Sequence, residues 1–94
     1  MTPMPPGNVH ALLSERESTH GSFDANARIA QSLKSAFRAC PGWPNMSHVQ
    51  RESLDLIALK LARILSGKAD NPDHWSDIAG YAQLVVNTLV ADPD

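Results

Sequence analysis

The sequence predicts an all-α protein, a compact bundle of three main helices plus a short N-terminal helix. Three observations carry this. Aromatic residues are only 5% of the 94-residue chain while apolar residues reach 43%. Alanine and aliphatic side chains must therefore fill the core, which suits close-packed helices better than a sheet. No stretch alternates apolar and polar residues with the period of a strand, and three segments carry apolar residues at spacings of three and four between recognisable caps.

The elements follow in order. "MTPMPPGN", with three prolines and a glycine, reads as a loose tail over residues 1–8. It has no basic n-region and no apolar h-region, so it is not read as a signal peptide. A single helical domain is expected over 9–92. A short helix from about Val9 to Arg16 places Val9, Leu12 and Leu13 on one side, and "ESTHGS" breaks it, with Gly21 free to adopt positive φ. Ser22 is placed to cap the first main helix, Phe23–Cys40, whose stripe is Ala25, Ile29, Ala30, Leu33, Ala36, Phe37 and Cys40. "PGWPN" ends it. Ser47 and Gln50 form the S-x-x-Q pattern of a capping box, opening a second helix with Leu54, Ile57, Ala58, Leu61, Ile64 and Leu65 inward and Gly67 as its C-terminal stop. A third helix, from about His74 to Val90, takes Asp73 as its cap. Gly80 within it costs about 1 kcal/mol relative to alanine, which suggests close approach of another helix.

The totals exclude several classes of function. A net charge of −2 and a pI near 6.0 give no basic face, so nucleic-acid binding is not expected. The single Cys40 forbids an internal disulfide and a multi-cysteine zinc site, and fits a reducing cytoplasm. No apolar run reaches the roughly 18–20 residues that span a bilayer. So small a core favours self-association as a homodimer.

Polar residues within the apolar faces are the candidates for function. At about 100° per residue, Asp77 falls between Leu84 and Tyr81, inside the core face of the third helix. Lys60 falls between Leu56 and Ile64 on the second helix, with Arg63 one turn on. Asn26 lies between Leu33 and Phe37 on the first. A buried carboxylate needs a partner, and Lys60 or Arg63 supplies one. Two readings follow: a structural salt bridge that fixes helix register, or a ligand pocket. In the pocket reading, Lys60 and Arg63 hold a phosphate, and Asp77 is the candidate catalytic base or metal ligand. Asn26 and Tyr81 position the ligand. His20, just ahead of the first main helix, adds a donor beside an anion docked on its free N–H groups. His74-x-x-Asp77 and Glu52-x-x-Asp55 have spacings that suit a divalent metal such as magnesium, but the preferred readings are a surface position for His74 and solvated charge for Glu52 and Asp55. Trp43 and Trp75 read as lids on the core, and Cys40 as a small buried hydrophobe.

Three stretches carry a resemblance: "R-x-x-T-H-G-S-F-x-A-N-A-x-I-A" (Arg16–Ala30), "L-K-L-A-R-I-L-S-G" (Leu59–Gly67) and "D-H-W-S-D-I-A-G-Y-A-Q-L" (Asp73–Leu84). Together they resemble a small phage and prophage family known only as a domain of unknown function. Its pattern runs T-[YH]-G, N-A, K-x-x-R, D-x-x-x-D-I-A-G-Y-A, and no activity comes with it. The chain is also similar to all-α NTP pyrophosphohydrolases of the MazG type. These hold magnesium against nucleotide phosphates with E-x-x-E and E-x-x-D and are commonly dimers or tetramers. Glu52-x-x-Asp55 stands in for the first motif and His74-x-x-Asp77 for the second. Only Asp77 matches cleanly, which implies a related scaffold with a changed or lost active site. The expected function is binding of a nucleotide or other phosphorylated small molecule, with magnesium-dependent hydrolysis as its extension. The rival is a noncatalytic phage accessory protein that binds a host or phage protein.

Overall fold

The computed structural model describes Val9, Leu12, Leu13 and residues 21–90. Among them lie three long helices and no strand: α1 (Phe23–Ala39), α2 (His48–Ser66) and α3 (Pro72–Leu89), with one turn of 3₁₀ helix at Trp43–Asn45 between the first two. The all-α prediction holds. The predicted N-terminal helix falls mostly outside the described residues, as does the tail. Val9, Leu12 and Leu13 are themselves helical.

Local chemistry fixes each helix end. Ser22 Oγ accepts from Ala25 N at 3.1 Å, and Asp24 in the first turn complements the positive end of α1. The capping box of α2 is complete: Ser47 Oγ accepts from Gln50 N at 3.1 Å, and Gln50 Oε1 accepts from Ser47 N at 2.9 Å. Gly67 ends that helix with φ −120°, outside the left-handed region. The start of α3 differs from the sequence reading. Asn71 is the cap, accepting from Asp73 N at 3.0 Å, and Pro72 opens the helix. Proline suits that position because its missing N–H would be unpaired there in any case. Asp73 is left to face the helix dipole.

The middle helix α2 packs against both others, while α1 and α3 barely meet. The molecule is thus the expected bundle, with α2 as its middle helix. α1 runs antiparallel to α2: Asn26 near its start meets Ser66 at the end of α2, and Arg38 near its end meets Asp55. Among the described residues the buried apolar side chains are Ala30, Ala58, Ala62 and Ile64. Three of the four are alanines, which let backbones approach closely but remove little apolar area from water. His74, Ser53 and Asn26 complete the buried set.

Several expected placements are corrected by this packing. His74 is buried, not superficial, because it opens the narrow inward stripe of α3 that continues through Ile78, Tyr81 and Val85. Cys40 is exposed, since α1 ends before it; its Sγ lies 3.2 Å from Ala36 O. Among the described residues Gly80 has no neighbour that a methyl group would meet, so none of the three long helices packs closely on it. Trp75 is open to solvent, with its indole N–H donating to Ala69 O at 2.7 Å. Trp43 does act as a lid: its ring stacks on Phe37 and lies under the guanidinium groups of Arg38 and Arg51.

Candidate functional site

The polar residues singled out above divide into two groups that share Arg63. The first is an ion pair. Lys60 Nζ on α2 lies 2.9 Å from Asp77 Oδ2 on α3. The lysine side chain is only 13% exposed and the carboxylate is 46% exposed. Opposite charges therefore do meet between these helices, but at the rim of the interface and not within it. The apolar sector of α3 is wider than the part α2 covers, so a residue inside that sector can still reach solvent. The hydrogen bond from Lys60 holds the Asp77 carboxyl below the usual carboxylate range. Partial burial opposes this, and the charges of Lys60, His74 and Arg63 add to the lowering. A lowered carboxyl is a weaker proton acceptor than an ordinary aspartate.

The second group lines a cleft of about 540 Å3 between α1, α2 and the N-terminal residues Leu12 and Leu13. Its apolar wall includes Leu12, Leu13, Phe23, Ala27, Ala30 and Leu59; Asn26, Gln31, Lys34 and Arg63 are its polar members. Two of the sequence candidates, Asn26 and Arg63, are brought together here. Asn26 is buried, and its Oδ1 lies within hydrogen-bond reach of Ser66 Oγ, which also approaches Ala62 O at 2.7 Å. That contact ties the start of α1 to the end of α2 and fixes the floor of the cleft. Gly21, at φ 77°, passes so close to Ser66 that a Cβ would sit 2.3 Å from its carbonyl oxygen.

Lys34 was missed by the sequence reading. It lies one turn after Ala30, on the flank of the core stripe and not within it, so a search for polar residues inside the stripe passes over it. Neither Lys34 nor Arg63 has an ion-pair partner within 4 Å among the described residues. The other basic residues of α1 differ. Arg28 pairs with Asp24, and Arg38 holds Asp55 in a two-pronged bridge at 2.8 and 3.1 Å. A shallow depression along the outer side of α1 contains the Arg28–Asp24 pair and opens broadly to solvent.

The remaining candidates sit apart. Tyr81 is half-buried on the inward stripe of α3 and does not line the cleft. His20 lies outside the described residues. Glu52 is exposed, while Asp55, three residues on, is held by Arg38. His74 is buried at the start of α3 and Asp77 faces Lys60. Among the described residues no three histidine, cysteine, aspartate or glutamate side chains converge as metal ligands would.

The family model for a domain of unknown function, DUF6378, matches residues 8–88. The chain belongs to the DUF6378 family. The match takes in all of α1 and α2 and nearly all of α3, so cleft and ion pair both lie within the DUF6378 domain. No curated protein and no solved structure matches the chain. Among the described residues no helix is long and apolar enough to cross a membrane.

Proposed function

We propose that this protein binds a nucleotide or another phosphorylated small molecule in the cleft between α1 and α2. One observation carries the reading: two cationic side chains, Lys34 and Arg63, with no ion-pair partner within 4 Å among the described residues, border an apolar cleft of about 540 Å3. That volume lies within the range of small-molecule sites, about 300–1,000 Å3, which are mainly apolar with a few placed polar groups. Arg63 offers a planar fork of donors suited to phosphate, Lys34 adds a mobile point charge, and the aliphatic wall suits a base or another flat apolar group. Asn26 is the buried polar group of the cleft, and His20, just ahead of the first main helix in sequence, is a further candidate donor. In this reading Lys60 and Asp77 act together. The pair locks α3 onto α2 and contributes to the field around Arg63, while Tyr81 supports the packing of α3.

Hydrolysis of a nucleoside triphosphate is the extension of this reading. Magnesium would need carboxylates free to approach one point. Asp55 is engaged by Arg38 and Asp77 by Lys60, so the cleft supports binding more directly than turnover. Phage association and a cytoplasmic setting belong to the same proposal, resting on the sequence resemblance. So does a homodimer, which the small core and the open aliphatic residues of α3 support.

Calorimetric titration of ATP, of AMP and of inorganic pyrophosphate into the purified protein tests the reading, with product analysis of the same samples reporting any turnover. Arg63→Ala and Lys34→Ala should each weaken binding on the order of tenfold, the loss of one charge-assisted contact. Lys60→Met should leave affinity close to wild type. Unchanged binding in folded Arg63→Ala and Lys34→Ala variants would remove the cleft as the site.

A further inference from the structure

We infer that the outward strip of α3 is the self-association surface of this protein, covered by the same strip of a second copy in antiparallel orientation. The inference stands apart from the ligand reading and uses none of the cleft residues.

The strip follows from helix geometry. The inward residues of α3 are His74, Ile78, Tyr81 and Val85. About 100° round the helix from their centre lie Trp75, Ala79, Ala82, Val86 and Leu89, at spacings of three and four. This second stripe faces solvent: Trp75 is 53% exposed, Val86 43% and Leu89 65%. On α2 the matching side, away from Lys60, carries Leu65 at 68% exposure. With the terminal Val90, 70% exposed, these open side chains form one mainly apolar patch of the kind that gives ~800 Å2 per partner in a standard interface.

Charge points the same way. From Ile78 to Val90 no side chain is ionised. A helix that faces water normally carries charged residues on its outer side, and one that does not is normally covered. The acids of α3, Asp73 and Asp77, stand in its first two turns and lie on the side of the helix away from this strip. An antiparallel pairing opposes the two helix dipoles favourably.

The occupant must also be present whenever the chain is. Only Ala30, Ala58, Ala62 and Ile64 are buried among the described apolar residues, too small a core to stand without further cover. A foreign partner would leave the chain uncovered until the two met. A second copy is always available. Leu12 and Leu13 are engaged at the cleft between α1 and α2, so they do not cover this strip.

In this arrangement the two-fold axis passes near Ala82, midway between Trp75 and Leu89. Sedimentation velocity at micromolar concentration should give a particle of twice the 10.2 kDa chain mass, and Val86→Glu should shift it to the monomer. A wild-type protein sedimenting as a folded monomer would overturn the inference. Because Val86→Glu could unfold, a second test uses Ala82→Cys in a Cys40→Ala background. Mild oxidation should link the two copies through residue 82, while Leu84→Cys, close to the axis along the chain but on the opposite side of α3 from the strip, should stay unlinked. The reverse pattern, or a dimer that Ala82→Cys fails to link, would place the contact elsewhere and refute this one.

Discussion

Gly21 is constrained twice. Its φ of 77° lies where a side chain is disfavoured, and Ser66 occupies the space a Cβ would need. Alanine here must either strain the backbone, at about 1–2 kcal/mol, or move the end of α2 away from α1. Gly21→Ala is therefore expected to lower unfolding stability by about 2 kcal/mol or more in urea titration, and to disturb the Asn26–Ser66 contact that floors the cleft. An effect below a few tenths of a kcal/mol would mean the turn relaxes freely. Asp77 makes a different kind of prediction. Lys60 holds its folded-state value below the unfolded one, about 3.9, so the unfolded chain binds the proton more readily. The stabilisation is present above that value and is lost as pH falls through the lower folded one. A carboxyl-detected NMR titration should show Asp77 titrating below an ordinary aspartate and returning upward in Lys60→Met. Equal values in both proteins would contradict the pairing.

At the scale of the helices, caps and stripes were legible in the sequence because they depend on residues close along the chain. Ser22, Ser47 and Gln50 do what their spacing indicates. The start of α3 was misplaced by two residues because Asn71, Pro72 and Asp73 are all good N-terminal residues, and only the backbone decides among them. Burial was harder to read. Periodicity gives the width of an apolar sector but not how much of it a neighbour covers. So Asp77 lies inside the sector and is still half-exposed, while His74, on the same helix, is buried. Gly80 shows the same limit. It suggested a close helix contact, yet a methyl group there would meet nothing among the described residues. Gly80→Ala should therefore raise stability by up to about 1 kcal/mol through helix propensity alone, as read by thermal unfolding. A loss of stability would reveal a contact on that side of α3 and would count against the dimer strip lying on the opposite side.

For the whole molecule, the all-α class and the three main helices were readable from composition and period. Their packing as a bundle was readable too; which helix stands in the middle was not. The sequence suggested three helices sharing one interior, with Asn26, Lys60 and Asp77 converging there. Instead α2 stands between partners that barely meet, so polar residues on its two sides serve separate features: the Lys60–Asp77 pair toward α3 and the Asn26–Ser66 contact toward α1. Arg63 is the residue whose field reaches both, lining the cleft while acting on Asp77. Lys34 joins it only because α1 is antiparallel to α2, a relation that no local pattern encodes. The central claim is that this cationic, apolar-walled cleft receives a phosphorylated molecule. The most direct test is amide NMR shift mapping during titration with ATP, repeated on the Lys34→Ala, Arg63→Ala double variant. Saturable shifts centred on Gly21, Asn26, Ala30 and Arg63, abolished in the double variant, are the predicted result. Shifts that cluster around Asp77 and Tyr81 and leave the cleft unmoved, or no saturable shifts at all, would contradict it.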